Sequence, residues 1–218
     1  MQIAIDGPAG AGKSTLARTL ARKMGFVYID TGAMYRALAL KVLHTGISLD
    51  DADAIAKLAL GLEIHFENCR GEQRLLCNGE DLTEMIRSPQ VNAAVSRVAQ
   101  HPEVRRIMVQ KQQYMARSSN VVMDGRDVGE WVLPEADYKF YLTAGLQERA
   151  LRRKRELENK GFQQELDTIM EELHQRDQMD QSRQVGALKI LPDSIVIDSS
   201  QRSADEVLQQ ILSIVRKN

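Results

Sequence analysis

The chain has 218 residues, 43% of them hydrophobic and 27% charged, with 29 basic against 30 acidic side chains and a net charge of −1. Such a chain can bury one generous core and is not disordered by composition; no apolar run approaches the ~18 residues of a membrane span, and near-neutrality removes the global positive field of a bulk nucleic-acid binder. The cysteines Cys69 and Cys77 are too few for a disulfide framework or a CxxC zinc site and read as reduced thiols, with one bridge between them left open; the opening MQIAID has no basic stretch followed by a long apolar core, so no signal peptide is visible and a cytoplasmic protein without nucleic-acid or membrane partners is expected.

In chain order, a first strand is predicted at Ile3-Ala4-Ile5, followed by a glycine-rich loop and a helix whose apolar face is Leu16, Leu20 and Met24 and which Gly25 stops. A second strand is expected at Phe26–Ile29, then helices over 32–44 and 51–60. Residues 62–86 break the pattern. They hold two alternating runs, around Ile64-His65-Phe66 and Arg74–Cys77, with turn chemistry at Asn68–Gly71 and Asn78-Gly79, which reads as a small antiparallel insert.

Helices follow over 90–99 and 103–117, strands at Val121–Met123 and Tyr138–Leu142, helices over 145–159 and 163–181, a strand at Ile195–Ile197 and a last helix over 204–216 capped by Ser203. The strands lack strict alternation, as strands of a parallel sheet covered on both faces do. Four of the five lead into an aspartate (Asp6, Asp30, Asp124 and Asp198) at the strand ends where open α/β sheets place ligands. The helix face Leu166, Ile169, Met170 and Leu173 reads as core, and His44, His65, His101 and His174 show no metal-ligand spacing.

Gly7-Pro8-Ala9-Gly10-Ala11-Gly12-Lys13-Ser14 matches G-x-x-x-x-G-K-[ST] between a strand and a helix and runs on into Thr15. Glycines let successive amides converge on phosphate oxygens, and the helix beginning near Lys13 adds its positive end. Lys13 is placed to reach the β- and γ-phosphates and the Ser14 hydroxyl to sit on Mg²⁺. An Asn-Lys-x-Asp base reader of a GTPase is missing: the lone Asn159-Lys160 continues into Gly-Phe.

The segment Glu148–Lys160 carries six basic and three acidic residues, and Arg149, Arg152 and Arg153 share one broad helical side; Arg176, Asp177, Asp180 and Arg183 follow. The functional reading is a lid whose guanidiniums clamp a transferring phosphoryl group. The plain reading is a solvated helix with ion pairs such as Glu148–Arg152 and Arg152–Glu156. Asp30–Arg36 and Asp124–Gly129 sit directly after predicted strands and suggest an acceptor site.

The ordered set IAIDGPAGAGKST, DTGAMYRALAL, VVMDGRDVG, RRKRELENKGF and RDQMDQSR resembles the bacterial cytidylate kinases of the longer form, essentially from end to end. The resemblance implies an α/β fold, a P-loop NTPase-type parallel five-stranded sheet flanked by helices, with a small antiparallel substrate-binding insert and a helical lid. As one kinase domain over 1–218, it implies a core of about 1–60, 100–147 and 185–218, a CMP-binding insert of about 61–99 and a lid of about 148–184.

The implied reaction moves the γ-phosphoryl group of ATP to CMP or dCMP with Mg²⁺, in pyrimidine nucleotide metabolism, and a monomer is expected. By the same resemblance Gly7 through Thr15 bind ATP, and Lys13, Arg126, Arg149, Arg153, Arg176 and Arg183 are the catalytic cations. Thr31 and Arg36, with Arg126, face the CMP phosphate; Ser96, Arg105 and Asp127 read cytosine, and Asp180 contacts the ribose. Gly129-Glu130-Trp131 and Val185-Gly186-Ala187 depart from the family pattern, with Trp131 expected to pack and Glu130 to be solvated.

Two other readings compete. A P-loop kinase of another nucleoside monophosphate or of a small hydroxylated acid would, for a hydroxyl acceptor, want a carboxylate base such as Asp30 or Asp124. A nucleotide-dependent switch without transfer activity is opposed by the missing base reader and the arginine-dense lid.

Overall fold

A computed structural model of the chain describes residues 1–69, 72–117, 119–159 and 161–216. In chain order the regular elements are β1 (Gln2–Asp6), α1 (Lys13–Met24), β2 (Val27–Asp30), α2 (Thr31–Thr45), α3 (Ala52–Leu60), β3 (Ile64–Cys69), β4 (Glu72–Cys77), β5 (Glu80–Asp81), α4 (Pro89–Val98), α5 (Pro102–Ala116), β6 (Val121–Gly125), β7 (Tyr138–Thr143), α6 (Leu146–Glu158), α7 (Leu166–Gln181), β8 (Ile195–Asp198) and α8 (Ala204–Val215). The chain divides into two compact units, residues 1–28 with 118–218 and residues 29–117, the boundary falling inside β2.

The first unit is built on a five-stranded parallel sheet in the order β2-β6-β1-β7-β8. Ile3 lies beside both Val122 and Tyr138, so β1 has a parallel partner on each side. That central position explains why Ile3, Ala4 and Ile5 are fully buried, an apolar run where a half-exposed strand would alternate. One core cluster joins Ile3, Ile5, Phe140, Leu142 and Ile197 of the sheet to Leu16 and Leu20 of α1 and to Val207, Ile211 and Leu212 of α8. Burying each of these larger side chains contributes about 1.5–3 kcal/mol. A second cluster sets Ile169 and Leu173 of α7 against Ala150 of α6 and Ala9 of the loop after β1, with Leu166 and Met170 partly buried beside it, so the apolar stripe of α7 is core.

Local chemistry sets the helix ends. Gly25 at φ +69° closes α1. Ser203 and Glu206 form a reciprocal capping box at the start of α8.

The second unit holds the antiparallel sheet β3-β4-β5 and helices α2 to α5. Asn78 and Gly79, at φ +51° and +79°, make the tight turn from β4 to β5 that an Asn-Gly pair predicts. Of the expected Asn68–Gly71 turn, Arg70 and Gly71 lie outside the described residues. Cys77 is a free, buried thiol, pushed up in pKa by burial.

Three details differ from the sequence reading. β8 is an edge strand, and without a neighbour on its far side Ile195 and Val196 remain 37% and 48% exposed. Residues Val128–Val132 form a π-helical turn closed by Leu133 N–H donating to the Val128 carbonyl at 2.8 Å, which no short-range pattern announced. In that turn Trp131 is 43% exposed instead of packed, and Glu130 pairs with Lys189 at 2.7 Å instead of being merely solvated.

Candidate active site

The loop leaving β1 is shaped by close backbone approach. Gly7 adopts φ +150°, and a Cβ there would sit 2.0 Å from the Leu142 carbonyl oxygen of β7, so no side chain fits. Gly10 and Gly12, at φ +75° and +93°, continue the curl. α1 begins at Lys13 with Gly12 as an N-cap that supplies no capping side chain, which leaves its first-turn amides to an anion.

Lys13 is 5% exposed, and its ammonium donates to the Pro8 carbonyl at 2.7 Å across the loop. Burial, then the neighbouring Arg126 and Arg176, hold its pKa well below the ordinary lysine value against the opposing pull of Asp124 and Asp180. An arriving polyphosphate would reverse that balance, so Lys13 is poised for an anion.

Ser14 Oγ donates to Asp124 Oδ2 at 2.8 Å, and the Tyr28 hydroxyl donates to Asp124 Oδ1, also at 2.8 Å. Asp124 is 3% exposed at the end of β6, and this hydroxyl–carboxylate pair beside the loop is a hard-oxygen donor set suited to Mg²⁺. Among the described residues no cluster of three His, Cys, Asp or Glu is placed to hold a metal. Thr15 is exposed on α1, where its carbonyl accepts from Thr19 Oγ1.

The arginines of α6 divide by their partners. Arg149, 6% exposed, donates from Nε to the Ala144 carbonyl and from Nη1 to the Ala9 carbonyl, both at 3.0 Å, and pairs with Asp177 at 2.6 Å. Arg152 donates to Ala11 O at 3.3 Å, Ser199 Oγ at 3.0 Å and Ser199 O at 2.5 Å, so it is tied to the phosphate loop, unlike the expected Glu148 and Glu156 pairs. Arg153 pairs with Glu156 at 2.7 Å on a more open face.

Asp180 is buried between Arg126, whose Nε donates to it at 2.7 Å, and Arg183. Burial opposes its ionisation, but Arg126, Arg183 and Arg176 outweigh that and hold its pKa at about 2. Arg126 and Asp127 lie in the segment directly after β6, and Asp127 is 8% exposed.

The remaining candidates belong to the second unit. Asp30 accepts from Ala33 N–H at 2.8 Å and so caps α2; buried Thr31 is the first residue of that helix and Arg36 lies one and a half turns on. Ser96, on α4, is 8% exposed. Arg105, 1% exposed on α5, donates to the Ala99 carbonyl at 3.0 Å and stacks over the Tyr35 ring at 5.2 Å.

Asp6, Tyr28, Tyr35, Asp177 and Ser199 join this chemistry without having been proposed for it. Asp6, as a strand-terminal aspartate, and Tyr35 and Asp177, within quoted motifs, carried a signal in the sequence; Tyr28 and Ser199 depend on packing between elements far apart in the chain.

The family model described as "Cytidylate kinase" matches residues 3–217. The cytidylate kinase of Symbiobacterium thermophilum is 50% identical over 216 residues, covering 99% of this chain and 96% of that protein. The cytidylate kinase of Caldanaerobacter subterraneus subsp. tengcongensis is 48% identical over 218 residues, covering 100% and 96%. An uncharacterized protein from Eubacterium ventriosum shares the fold at a TM-score of 0.57 and 11% identity, over 100% of this chain and 99% of that one. With a family model spanning nearly the whole chain and relatives 48–50% identical over 96% of their length, this chain belongs to the cytidylate kinase family.

Proposed function

We propose that this chain transfers the γ-phosphoryl group of ATP to CMP or dCMP, giving ADP and CDP or dCDP. The observation that carries the reading is the buried Lys13 ammonium folded over an amide-lined loop, in a unit that also gathers Arg126, Asp127, Asp180 and Arg183.

A phosphate monoester loses its second proton near pH 6, so the CMP phosphate is already a nucleophile at neutral pH. No general base is needed. Asp30 and Asp124, which a hydroxyl acceptor would require as bases, are engaged as a helix cap and as the acceptor of two hydroxyl bonds. Catalysis then rests on alignment and charge neutralisation.

In this reading the loop amides of Gly7 through Thr15 seat the ATP phosphates, and Lys13 neutralises charge on the β- and γ-phosphoryl oxygens. Ser14, with Asp124 beside it, would hold Mg²⁺, which neutralises phosphate charge when bound. Arg126, Arg176, Arg183, Arg149 and Arg153 supply the remaining positive charge around the transferring group. Arg149 also anchors α6 to Ala9, so its guanidinium sets where the lid begins.

On the acceptor side, Thr31 and Arg36 of the second unit bind the CMP phosphate, with Ser96 and Arg105 assigned to cytosine. In the first unit Arg126 also faces that phosphate, Asp180 takes the ribose, and Asp127 accepts the cytosine N4 amine. Uracil presents a carbonyl in place of that amine, so a carboxylate there faces a lone pair and discriminates against UMP. The domain division into core, insert of about 61–99 and lid of about 148–184, a monomeric state and a cytoplasmic location complete the proposal; among the described residues no helix is long and apolar enough to cross a membrane.

A coupled assay of ADP release tests the reading. With Mg²⁺ and ATP, CMP and dCMP are expected to stimulate turnover strongly, while UMP, AMP, shikimate and gluconate are not. Turnover indifferent to the acceptor, or strongest with a sugar acid, would replace it.

A further inference from the structure

Asp6 ends β1 immediately before the phosphate loop and is 7% exposed. Its Oδ1 accepts from the Val128 N–H at 2.9 Å and its Oδ2 from the Gly129 N–H at 2.8 Å, across 122 and 123 residues of sequence. Both amides belong to the turn directly following Asp127. That turn is further closed by the Glu130 and Trp131 amides donating to the Asp127 carbonyl at 3.3 and 2.9 Å. The contact is tight, because a Cβ on Gly129 would lie 3.4 Å from Asp6 Oδ2 and 3.2 Å from Lys139 Cδ.

From this geometry we propose that Asp6 is a positioning residue for acceptor selectivity: its carboxylate clamps the backbone after Asp127 and so fixes where the cytosine-reading carboxylate stands. It touches neither base nor phosphate. The proposal rests on the cytidylate kinase reading and on Asp127 as base reader.

A second fact agrees with it. Burial pushes the Asp6 pKa up to about 6 despite the two amide bonds that favour its charged form. A buried carboxylate of this kind costs stability, as residues held for function do.

The test measures kcat and KM for CMP, UMP and ATP in the wild type and in Asp6→Asn, whose amide accepts from only one of the two N–H groups. One lost bond of this kind corresponds to about tenfold in an equilibrium. The expected result is a rise of about tenfold in KM for CMP, a similar shrinkage of the CMP-over-UMP ratio of kcat/KM, and a KM for ATP changed less than about twofold. A parallel loss on CMP and UMP, or a loss confined to ATP, overturns the proposal.

Should Asp6→Asn not fold, Gly129→Ala presses on the same clamp and is expected to give the same split. In the wild type the Val128 and Gly129 amides should be among the slowly exchanging ones, and fast hydrogen exchange there overturns the clamp without any variant. Failure of the underlying reading looks different: the wild type itself would show no CMP-dependent turnover.

Discussion

Arg126 Nε donates to Asp180 Oδ2 at 2.7 Å, and Arg183 holds the other oxygen of the same carboxylate, so one buried acid keeps two guanidiniums in place. Its folded-state pKa of about 2 lies below the ordinary 3.8, which makes the ionised form a source of stability. That stability is complete above about pH 4 and is lost as the pH falls from there to about 2, and it amounts to about 2 kcal/mol. Asp180→Asn is expected to lower the unfolding free energy from urea titration at pH 7 by about 2–4 kcal/mol, since it removes the carboxylate that two buried guanidiniums share. The gap should close below pH 4; a gap independent of pH would remove the ionic account.

Asp6 has the opposite sign. Its folded pKa of about 6 lies above the ordinary 3.8, so its ionisation destabilises the fold progressively between those values and fully above the upper one. In thermal melts, Asp6→Asn should therefore gain on the wild type as the pH is raised from 4 to 7. A constant difference across that range would contradict the assignment.

Lys13→Ala removes the ammonium that donates to the Pro8 carbonyl across the loop after β1. Turnover is expected to fall by about a hundredfold or more, with the CMP dissociation constant changed less than about threefold. Rapid-quench kinetics with calorimetry on CMP separates the two quantities, and a fully active variant would refute the role given to Lys13.

Asp127→Ala is expected to lose selectivity for CMP over UMP by about tenfold or more, chiefly through a lower kcat/KM for CMP. Equal losses on both substrates would strip Asp127 of base reading and leave it a structural acid.

Arg152 and Arg153 are neighbours in sequence with different surroundings, one bonded to Ala11 and Ser199 and the other paired with Glu156. Arg152→Ala should raise KM for ATP severalfold with kcat less affected, because the loop loses a tether. Arg153→Ala should lower kcat with KM for ATP nearly constant, as removal of a transition-state cation does. Steady-state kinetics with ATP varied at saturating CMP would settle it, and the reverse pattern would exchange their roles.

Much of the fold and the site was legible in the chain because it rests on local signals. The five apolar runs, the Gly7–Ser14 loop between strand and helix, the Gly25 stop and the Asn78-Gly79 turn each follow from short-range backbone preference and burial. Other features had no local cause. The π-helical turn at Val128–Val132 exists where Asp6, 122 residues away, captures its first amides. β8 became an exposed edge because of its place in the sheet order, and Glu130 met Lys189 because segments remote along the chain fold beside one another.

The same division holds for the charged groups. Composition and spacing marked Arg149, Arg152, Arg153, Arg176 and Arg183 as a cationic cluster. Which of them anchors the loop, which holds Asp180 and which stays on an open face depends on long-range packing, because a guanidinium bonds whatever carbonyl or carboxylate the folded backbone brings within about 3 Å. Residue order therefore determined the kind of chemistry, the elements and their sequence; tertiary structure alone decided the partners, since partner choice is a matter of distance and burial between segments that are remote along the chain.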